Sequence, residues 1–452
     1  MANATTNRYL EGLLAPVGEE VTATDLPITG TLPPELDGRY LRNGPNPLGH
    51  PDPASYHWFL GDGMVHGIRL RDGRAEWYRN RWVRSTSVSE ALGEPPAPGE
   101  RYNGMDNANT NVIGHAGRTF AIVEAGARPV ELTDELETIC HTDLDGTLPH
   151  GYTAHPKRDP RTGELHAVSY HWARPEVLEY TVIDPGGRVR HRVDVAVPGN
   201  PMVHDCSITE SSLVLYDLPV TFDLDAAMTG SAFPYLWDED YGARVGVMPL
   251  GGQPDEVRWF EVEPCYVFHP LNAHDDGGSV VLDVVRHPRM FDRDRHGPNE
   301  GPPSLWRWTV DPAAGTVREE QLDDRAIEFP RVDERVVGRP HRFGFATGLT
   351  VDGDDVDFTA NSLVRYDTER GTSEAIEFGP GRTSGEVVFV PRSPDAAEDD
   401  GWYLSLVHDA AEDRSELVVL DAAAPAEGPV ARVHLPVRVP LGFHGNWVPT
   451  EA

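Results

Sequence analysis

The sequence predicts an all-β protein built as a β-propeller, a ring of four-stranded antiparallel blades. Its 44 glycines and 40 prolines are spread along 452 residues, and no long helical pattern is present. Short strand-like segments alternate with polar turns throughout, which is typical of radial sheet repeats. Seven blades of about 65 residues would account for the length. The repeats are too dissimilar for the pattern alone to fix the number of blades.

Seven segments have the apolar pattern of strands: 119–124, 166–171, 212–216, 279–285, 386–391, 402–407 and 416–421. Turn signals separate them, such as Asp184-Pro-Gly-Gly, Asp275-Asp-Gly-Gly and Val351-Asp-Gly-Asp-Asp. We expect residues 1–452 to form a single domain. Residues 1–20 are expected to be a loose lead-in, in which Tyr9-Leu-Glu-Gly-Leu-Leu forms a short helical turn.

Four segments are rich in proline, glycine, aspartate and aromatic residues and lack a strand pattern: 46–57, 92–105, 222–240 and 286–305. We expect them to form loops that cap one face of the propeller. The third contains the apolar cluster Phe233-Pro-Tyr-Leu-Trp. A small core under the loop is the simpler interpretation of this cluster, and a substrate entrance is the alternative.

The chain is strongly acidic, with 73 Asp and Glu against 39 Lys and Arg and a net charge of −34. Such a surface repels phosphate backbones, so nucleic acid is an unsuitable partner. The N-terminus lacks a secretory pattern and no apolar stretch approaches a membrane span, so we expect a cytoplasmic protein. Cys140, Cys206 and Cys265 are too few and too scattered for a disulfide framework. Cys206 is expected to be a small buried hydrophobe.

Four histidines lie in contexts that favour a buried metal: His155 in Ala-His-Pro-Lys, His204 in Val-His-Asp-Cys, His269 in Phe-His-Pro-Leu-Asn and His444 in Gly-Phe-His-Gly-Asn-Trp. They are too far apart in sequence for a local metal clip. In a propeller, however, the innermost strand of each blade lines one channel, so residues from several blades can meet at the axis. Neutral imidazoles suit iron, copper, zinc or nickel. The histidines His50, His296 and His408 lie in turn-like segments and are expected to be exposed.

Three glutamates lie in apolar, strand-like settings where an unpaired charge is costly: Glu124, Glu328 and Glu386. Each could form a salt bridge with Arg331, Arg382 or another arginine. A metal-bound imidazole, however, needs a hydrogen bond at its second nitrogen, usually to a carboxylate. Hydrogen bonding to the metal-binding histidines is therefore the better interpretation of these glutamates, and three carboxylates would also offset the charge of a dication.

In these flanks the four histidines resemble the iron ligands of the carotenoid cleavage oxygenases. Further segments resemble that family along nearly the whole chain: Leu41-Arg-Asn-Gly-Pro-Asn-Pro, His57-Trp-Phe-Leu-Gly-Asp-Gly-Met-Val-His, Asn109-Thr-Asn-Val and Glu328-Phe-Pro-Arg-Val-Asp. The resemblance implies a seven-bladed propeller with Fe(II) on its axis, under a dome of loops and short helices that holds a substrate tunnel. It implies that Glu124 orients His204, Glu328 orients His269 and Glu386 orients His444. His155 would lack a glutamate partner.

The activity implied by the resemblance is that of a non-haem Fe(II) dioxygenase, which uses O2 to cleave one C=C bond of a carotenoid or apocarotenoid to carbonyl products. No catalytic residue beyond the iron site is needed, and the substrate-binding residues stay unassigned. In stilbene-cleaving members a lysine usually precedes the glutamate that corresponds to Glu124. Val123 occupies that position here, which favours an apolar polyene over a stilbenoid such as resveratrol. Isomerisation without cleavage also occurs in the family.

A polyene would partition from membranes, so Tyr235, Leu236 and Trp237 could contact a lipid surface weakly. Two other classes of protein stay open. A propeller lactonase would hold calcium or zinc with Asp, Asn and Glu oxygens, whereas the best cluster here is rich in imidazole. A metal-free interaction propeller would bind partners at its rim and would tolerate His204→Ala. The oligomeric state is not determined by the sequence.

Overall fold

The computed structural model describes residues 6–450, and nearly all of its described elements are β-strands. Seven antiparallel sheets of four to six strands form the blades, and one two-stranded hairpin stands apart from them. The predicted all-β, seven-bladed propeller is therefore confirmed. Residues 1–5 of the predicted lead-in, and residues 451–452, lie outside the described residues.

Three of the seven blades come first in chain order. The first blade has the strands Thr22–Thr24, Gly38–Pro45, Gly63–Arg71, Arg74–Trp82 and Gly445–Pro449. The second has Asn111–His115, Arg118–Ile122, Val130–Leu132 and Thr138–His141. The third has Lys157–Arg158, Leu165–Ser169, Val177–Ile183 and Val189–Ala196.

Four blades follow. The fourth has Cys206–Ile208, Ser212–Asp217, Arg244–Pro249 and Arg258–Glu261. The fifth has Pro270–Asp276, Ser279–Arg286, Ser304–Asp311 and Thr316–Asp323. The sixth has Ile327–Val332, Phe343–Asp352, Asp355–Asp367 and Thr372–Glu377. The seventh has Arg382–Ser384, Val388–Pro391, Gly401–Asp409, Arg414–Asp421, Pro429–His434 and Ile28–Gly30.

Both ends of the chain close the ring. The C-terminal strand Gly445–Pro449 pairs with Gly38–Pro45 and becomes the innermost strand of the first blade. The N-terminal strand Ile28–Gly30 pairs with Pro429–His434 as the outermost strand of the seventh blade. Opening the ring would therefore break backbone hydrogen bonds in two blades.

The core lies between blades, and the strand patterns reflect this. Middle strands such as Ser212–Asp217 and Arg414–Asp421 are buried almost throughout, because neighbouring blades cover both of their faces. The outer strand Val189–Ala196 alternates between exposed residues and partly or fully buried ones, because one of its faces meets solvent. Each of the seven predicted strand segments overlaps an observed strand.

Helices are short. The α-helices are Thr86–Leu92 and Leu224–Met228, and the 3-10 turns are Arg8–Leu10, Gly12–Leu14, Trp58–Leu60, Pro254–Glu256, Glu334–Val336 and Pro425–Glu427. Among the described residues, no helix has the length and apolar character needed to cross a membrane.

Two local predictions need correction. The lead-in does form helical turns, but from residue 6 onward it is not loose, because Tyr9 is buried and stacks on Trp58 with ring centroids 5.3 Å apart. Segment 222–240 is not a plain loop. It contains the helix Leu224–Met228, and Val220–Phe222 pairs with Tyr235–Trp237 as the separate hairpin.

The isolated cysteines and histidines lie mostly where they were predicted. All three cysteines are free, and Cys206 is buried in an apolar cluster. His50 and His296 are exposed. His408 is half-buried rather than exposed, because it lies within the strand Gly401–Asp409, one residue before its end.

Candidate metal centre

The imidazole rings of the four predicted ligands meet at the propeller axis. One ring nitrogen from each of His155, His204, His269 and His444 lies within 4.8 Å of the other three. Nε2 of His269 is 3.2 Å from Nε2 of His204 and 3.2 Å from Nε2 of His444. Bonds of about 2.1 Å to a shared metal place adjacent nitrogens about 3 Å apart. The spacing therefore fits one ion.

Each of the four histidines directly precedes the innermost strand of its blade. His155 and His204 lie two residues before Lys157–Arg158 and Cys206–Ile208, and His269 and His444 lie one residue before Pro270–Asp276 and Gly445–Pro449. Innermost strands begin close to the axis at one end of the channel. The chain therefore positions the rings by topology, with one ring from each of the first, third, fourth and fifth blades.

The three remaining blades supply the predicted glutamates. Glu124 follows the strand Arg118–Ile122 of the second blade, Glu328 lies within Ile327–Val332 of the sixth, and Glu386 precedes Val388–Pro391 of the seventh. Every blade thus contributes either a histidine of the cluster or one of the predicted glutamates.

Each glutamate contacts the histidine that was predicted for it. Glu328 Oε2 accepts a hydrogen bond from Nδ1 of His269 at 2.6 Å, and Glu386 Oε1 accepts one from Nδ1 of His444 at 3.1 Å. The Glu124 carboxylate contacts Nδ1 of His204. With Nδ1 engaged in this way, each Nε2 is left to point at the axis.

One of the three glutamates also forms the salt bridge with an arginine that was the alternative interpretation. Arg331 Nη1 lies 3.3 Å from Oε2 of Glu386, which also accepts a hydrogen bond from the Gly445 backbone at 2.8 Å. One carboxylate therefore serves both partners. Arg382 pairs with Asp409 at 2.6 Å, within the seventh blade.

Three contacts of the site were missed by the sequence analysis. His287 Nε2 donates to Oε1 of Glu328 at 2.7 Å, and Tyr170 Oη donates to Oε1 of Glu124 at 3.1 Å. The carboxylate nearest to His155 is that of Asp205, whose Oδ2 lies 3.7 Å from Nδ1 and 2.8 Å from Nζ of Lys157. Asp205 is adjacent to His204 in sequence, which was the one available signal for it.

The electrostatics of the cluster call for a cation. Burial lowers the pKa of His269 to about 3, so its ring is neutral at pH 7. Burial raises the pKa of Glu386, but Arg331 and His444 outweigh it and hold the pKa at about 2. With each Nδ1 donating to its glutamate, the Nε2 lone pairs of His204 and His269 face each other at 3.2 Å, and Nε2 of His155 is buried without a hydrogen-bond partner among the described residues. A divalent metal would give these Nε2 atoms a shared partner.

An aromatic cavity of about 630 Å³ opens beside the cluster. His204, His269 and His444 form part of its wall. Much of the remaining wall is aromatic, including Trp58, Phe59, Phe233, Phe268, Phe329 and Phe443. Residues of the predicted cap segments 92–105, 222–240 and 286–305 also line it. The cavity can hold an extended apolar molecule against the imidazole cluster.

The residues predicted to touch a lipid surface lie mostly inward. Tyr235 is buried and lines the aromatic cavity, while Leu236 and Trp237 are half-buried. Trp237 lies under the guanidinium of Arg289, whose Cζ is 5.1 Å from the ring centroid. The hairpin pairing thus places Tyr235 inside the protein, and the weak lipid contact predicted for these three side chains stays a prediction.

Comparison with known proteins places this geometry in a family. Residues 14–449 match the family model of the retinal pigment epithelial membrane protein. A carotenoid cleavage oxygenase of Mycobacterium tuberculosis is 50% identical over 98% of both chains. A carotenoid 9,10(9',10')-cleavage dioxygenase of Crocus sativus is 33% identical over 98% of this chain and 89% of its own.

The fold is shared with a solved relative. The crystal structure of the Pseudomonas brassicacearum lignostilbene dioxygenase superposes with a TM-score of 0.87 and 30% identity, over 98% of this chain and 99% of that one. The family model spans nearly the whole chain, and the relatives are similar along their full length. The chain therefore belongs to the carotenoid cleavage oxygenase family and is an oxygenase on that family's seven-bladed propeller.

Proposed function

We propose that the protein is a non-haem Fe(II) dioxygenase that cleaves one C=C double bond of a carotenoid or apocarotenoid. The observation that carries the proposal is the convergence of four imidazole nitrogens within 4.8 Å of one another, against an aromatic cavity. When bound, ferrous iron would supply the activation of dioxygen. One alkene and one O2 give two carbonyl products, so no further reactant is required.

The metal would be held by His155, His204, His269 and His444. Glu328 and Glu386 keep the Nδ1 protons of their histidines in place through bonds of 2.6 and 3.1 Å, so that each Nε2 stays free. Glu124 makes the corresponding contact with His204, and Tyr170 fixes its other oxygen at 3.1 Å. These groups orient ligands and move no proton in the reaction.

The aromatic cavity would bind the polyene and exclude water from the cleaved bond. Apolar rings offer a long chain of conjugated carbons dispersion contact along its length, without polar groups that would need a partner. Holding one double bond beside the imidazole cluster selects which bond is cleaved.

The wall of the cavity favours a polyene over a phenolic stilbenoid. Val123 and Ala125 flank Glu124 in the lining, and among the described residues neither a lysine nor an arginine contributes to it. A phenolate would therefore lack a counter-charge. The similarity to a lignostilbene dioxygenase keeps stilbenoid cleavage as the second candidate.

Product analysis distinguishes these substrates. Iron-loaded protein incubated with β-carotene, an apocarotenal and resveratrol is expected to give carbonyl fragments from the carotenoid class, identified by mass. Cleavage of resveratrol alone would contradict the preferred substrate class. Stoichiometric calcium in place of iron in the purified protein would point to a lactonase instead.

A weak lipid contact is proposed for different residues from those first predicted. Leu224 and Met228 of the helix Leu224–Met228 are 63% and 78% exposed, and Ala227 of the same helix lines the cavity. The double variant Leu224→Ser, Met228→Ser should co-sediment less with neutral phosphatidylcholine liposomes than the wild type. The matched control is Leu322→Ser, Val351→Ser, two hydrophobic residues exposed by 40% and 38% on strands of the fifth and sixth blades. Equal sedimentation of the two double variants would contradict the proposed lipid contact.

A further inference from the structure

A second cavity also meets the histidine cluster, and it reaches His155, which the aromatic cavity does not. It has a volume of about 110 Å³ and is lined by polar groups on or near the innermost strands: Asn111, Lys157, Asp205, Asn272, Arg331 and Asn446. His155 lines only this cavity and His204 only the aromatic one, whereas His269 and His444 line both. The cluster therefore lies between two cavities, and the second has the more polar lining of the two. We call the second one the axial cavity.

The axial cavity continues toward the surface. Four of its lining residues, Ile113, Pro156, Glu334 and Asn446, also line a third cavity of about 760 Å³. The side chain of Glu334 is 52% exposed. A small molecule can thus approach His155 from solvent past these four residues, none of which lines the aromatic cavity.

The charges of the axial cavity are already paired. Lys157 Nζ is 2.8 Å from Asp205 Oδ2, and Arg331 lies 2.7 Å from Glu334 and 3.3 Å from Glu386. An ion entering this cavity would compete with these pairs and lose its own hydration, which is unfavourable in a buried site.

The polar amides of the axial cavity are paired as well. Asn446 Nδ2 donates to Asn111 Oδ1 at 2.9 Å, and Asn272 Nδ2 donates to the Arg339 carbonyl at 2.9 Å. A small neutral molecule would leave these bonds intact. The cavity therefore suits a neutral diatomic molecule better than an ion.

Cleavage needs both reactants at the cluster at once. A polyene that lies against His204, His269 and His444 would occupy the aromatic cavity and hinder a second molecule on that side. We propose that dioxygen reaches the cluster through the axial cavity while the alkene occupies the aromatic cavity. This inference rests on the proposed function. In the reaction the C=C and O=O bonds break and two C=O bonds form, so the alkene is oxidised, dioxygen is reduced, and nothing else enters or leaves.

Narrowing the junction between the axial and third cavities tests the route. Ile113 is half-buried and lines both cavities, so Ile113→Trp should raise KM for O2 about tenfold at saturating polyene and change KM for the polyene little. Ile113→Val is the matched control and should resemble the wild type. Ala232→Trp, in the wall of the aromatic cavity, should show the opposite pattern and raise KM for the polyene.

Measuring how fast a gas binds to the metal distinguishes slow entry of the gas from slow cleavage of the alkene. Nitric oxide, a diatomic probe, is mixed anaerobically with the ferrous protein and followed by absorption. With saturating polyene, Ile113→Trp should bind nitric oxide about tenfold more slowly than Ile113→Val. Without polyene the two should bind it at similar rates, since the aromatic cavity is then open.

Two outcomes would contradict the route. In one, bound polyene prevents nitric oxide from binding to the wild type. In the other, Ile113→Trp and Ile113→Val bind nitric oxide at equal rates when polyene is bound. If Ile113→Trp loses its iron or its fold, Val337→Trp on another wall of the axial cavity takes its place. If nitric oxide binds as expected but no alkene is cleaved, the proposed function is refuted while the proposed route for the gas is still supported.

Discussion

His269→Ala is expected to abolish both metal binding and alkene cleavage. His269 is central to the cluster, because its Nε2 lies 3.2 Å from that of His204 and 3.2 Å from that of His444. Removing the ring deletes one ligand and also leaves Glu328 without the proton that it accepts at 2.6 Å. We expect the loss of metal affinity to exceed the roughly 100-fold upper range seen for outer partners of metal ligands.

Iron content after dialysis, measured by mass spectrometry, and product yield check this expectation. The control is His50→Ala, because His50 is exposed and was predicted to be an ordinary surface histidine. It should hold iron and cleave substrate like the wild type. Full iron content and activity in His269→Ala would favour a metal-free role for the propeller.

Glu328→Gln is expected to have the second largest effect. The Glu328 carboxylate accepts two imidazole protons, from His269 at 2.6 Å and from His287 at 2.7 Å. A glutamine amide has one oxygen and one NH2 group, so it cannot accept from both rings. One ring must lose its bond or move its proton to the other nitrogen, and in His269 that shift would block the Nε2 atom that faces the cluster.

Metal affinity should fall about 10- to 100-fold in Glu328→Gln, measured by titration of the metal-free protein with Fe(II) under nitrogen. Glu179→Gln is the matched control. Glu179 is also buried and also contacts a histidine, His150 at 2.6 Å, together with Arg174 and Arg192, but it lies outside the site. Its variant should lose stability while keeping its affinity for iron. Equal affinities in Glu328→Gln and the wild type would show that orientation by Glu328 is unimportant.

Groups that depend on local sequence were predictable. Strands such as Ser212–Asp217 are continuous apolar runs bounded by turn residues, so the pattern indicates them directly. The four histidines and three glutamates were recognisable because their neighbours in sequence favour a buried position over a solvent-exposed one. Their convergence then follows from propeller topology.

Groups that depend on distant pairing were not predictable. The strands Val220–Phe222 and Tyr235–Trp237 pair with each other, and a helix without buried residues lies between them in sequence. The residues around Tyr235 therefore do not indicate that its side chain is buried. The bond from His287 to Glu328 joins the fifth and sixth blades, and the axial cavity is formed by side chains from several blades. Such features require the assembled ring.

Crystals of the iron-loaded protein measured on both sides of the iron absorption edge give the most direct measurement of the central claim. We expect one anomalous peak per chain, about 2.1 Å from an imidazole nitrogen of each of His155, His204, His269 and His444. A peak held by carboxylate oxygens elsewhere, or a site that one of the four rings does not reach, would contradict the account.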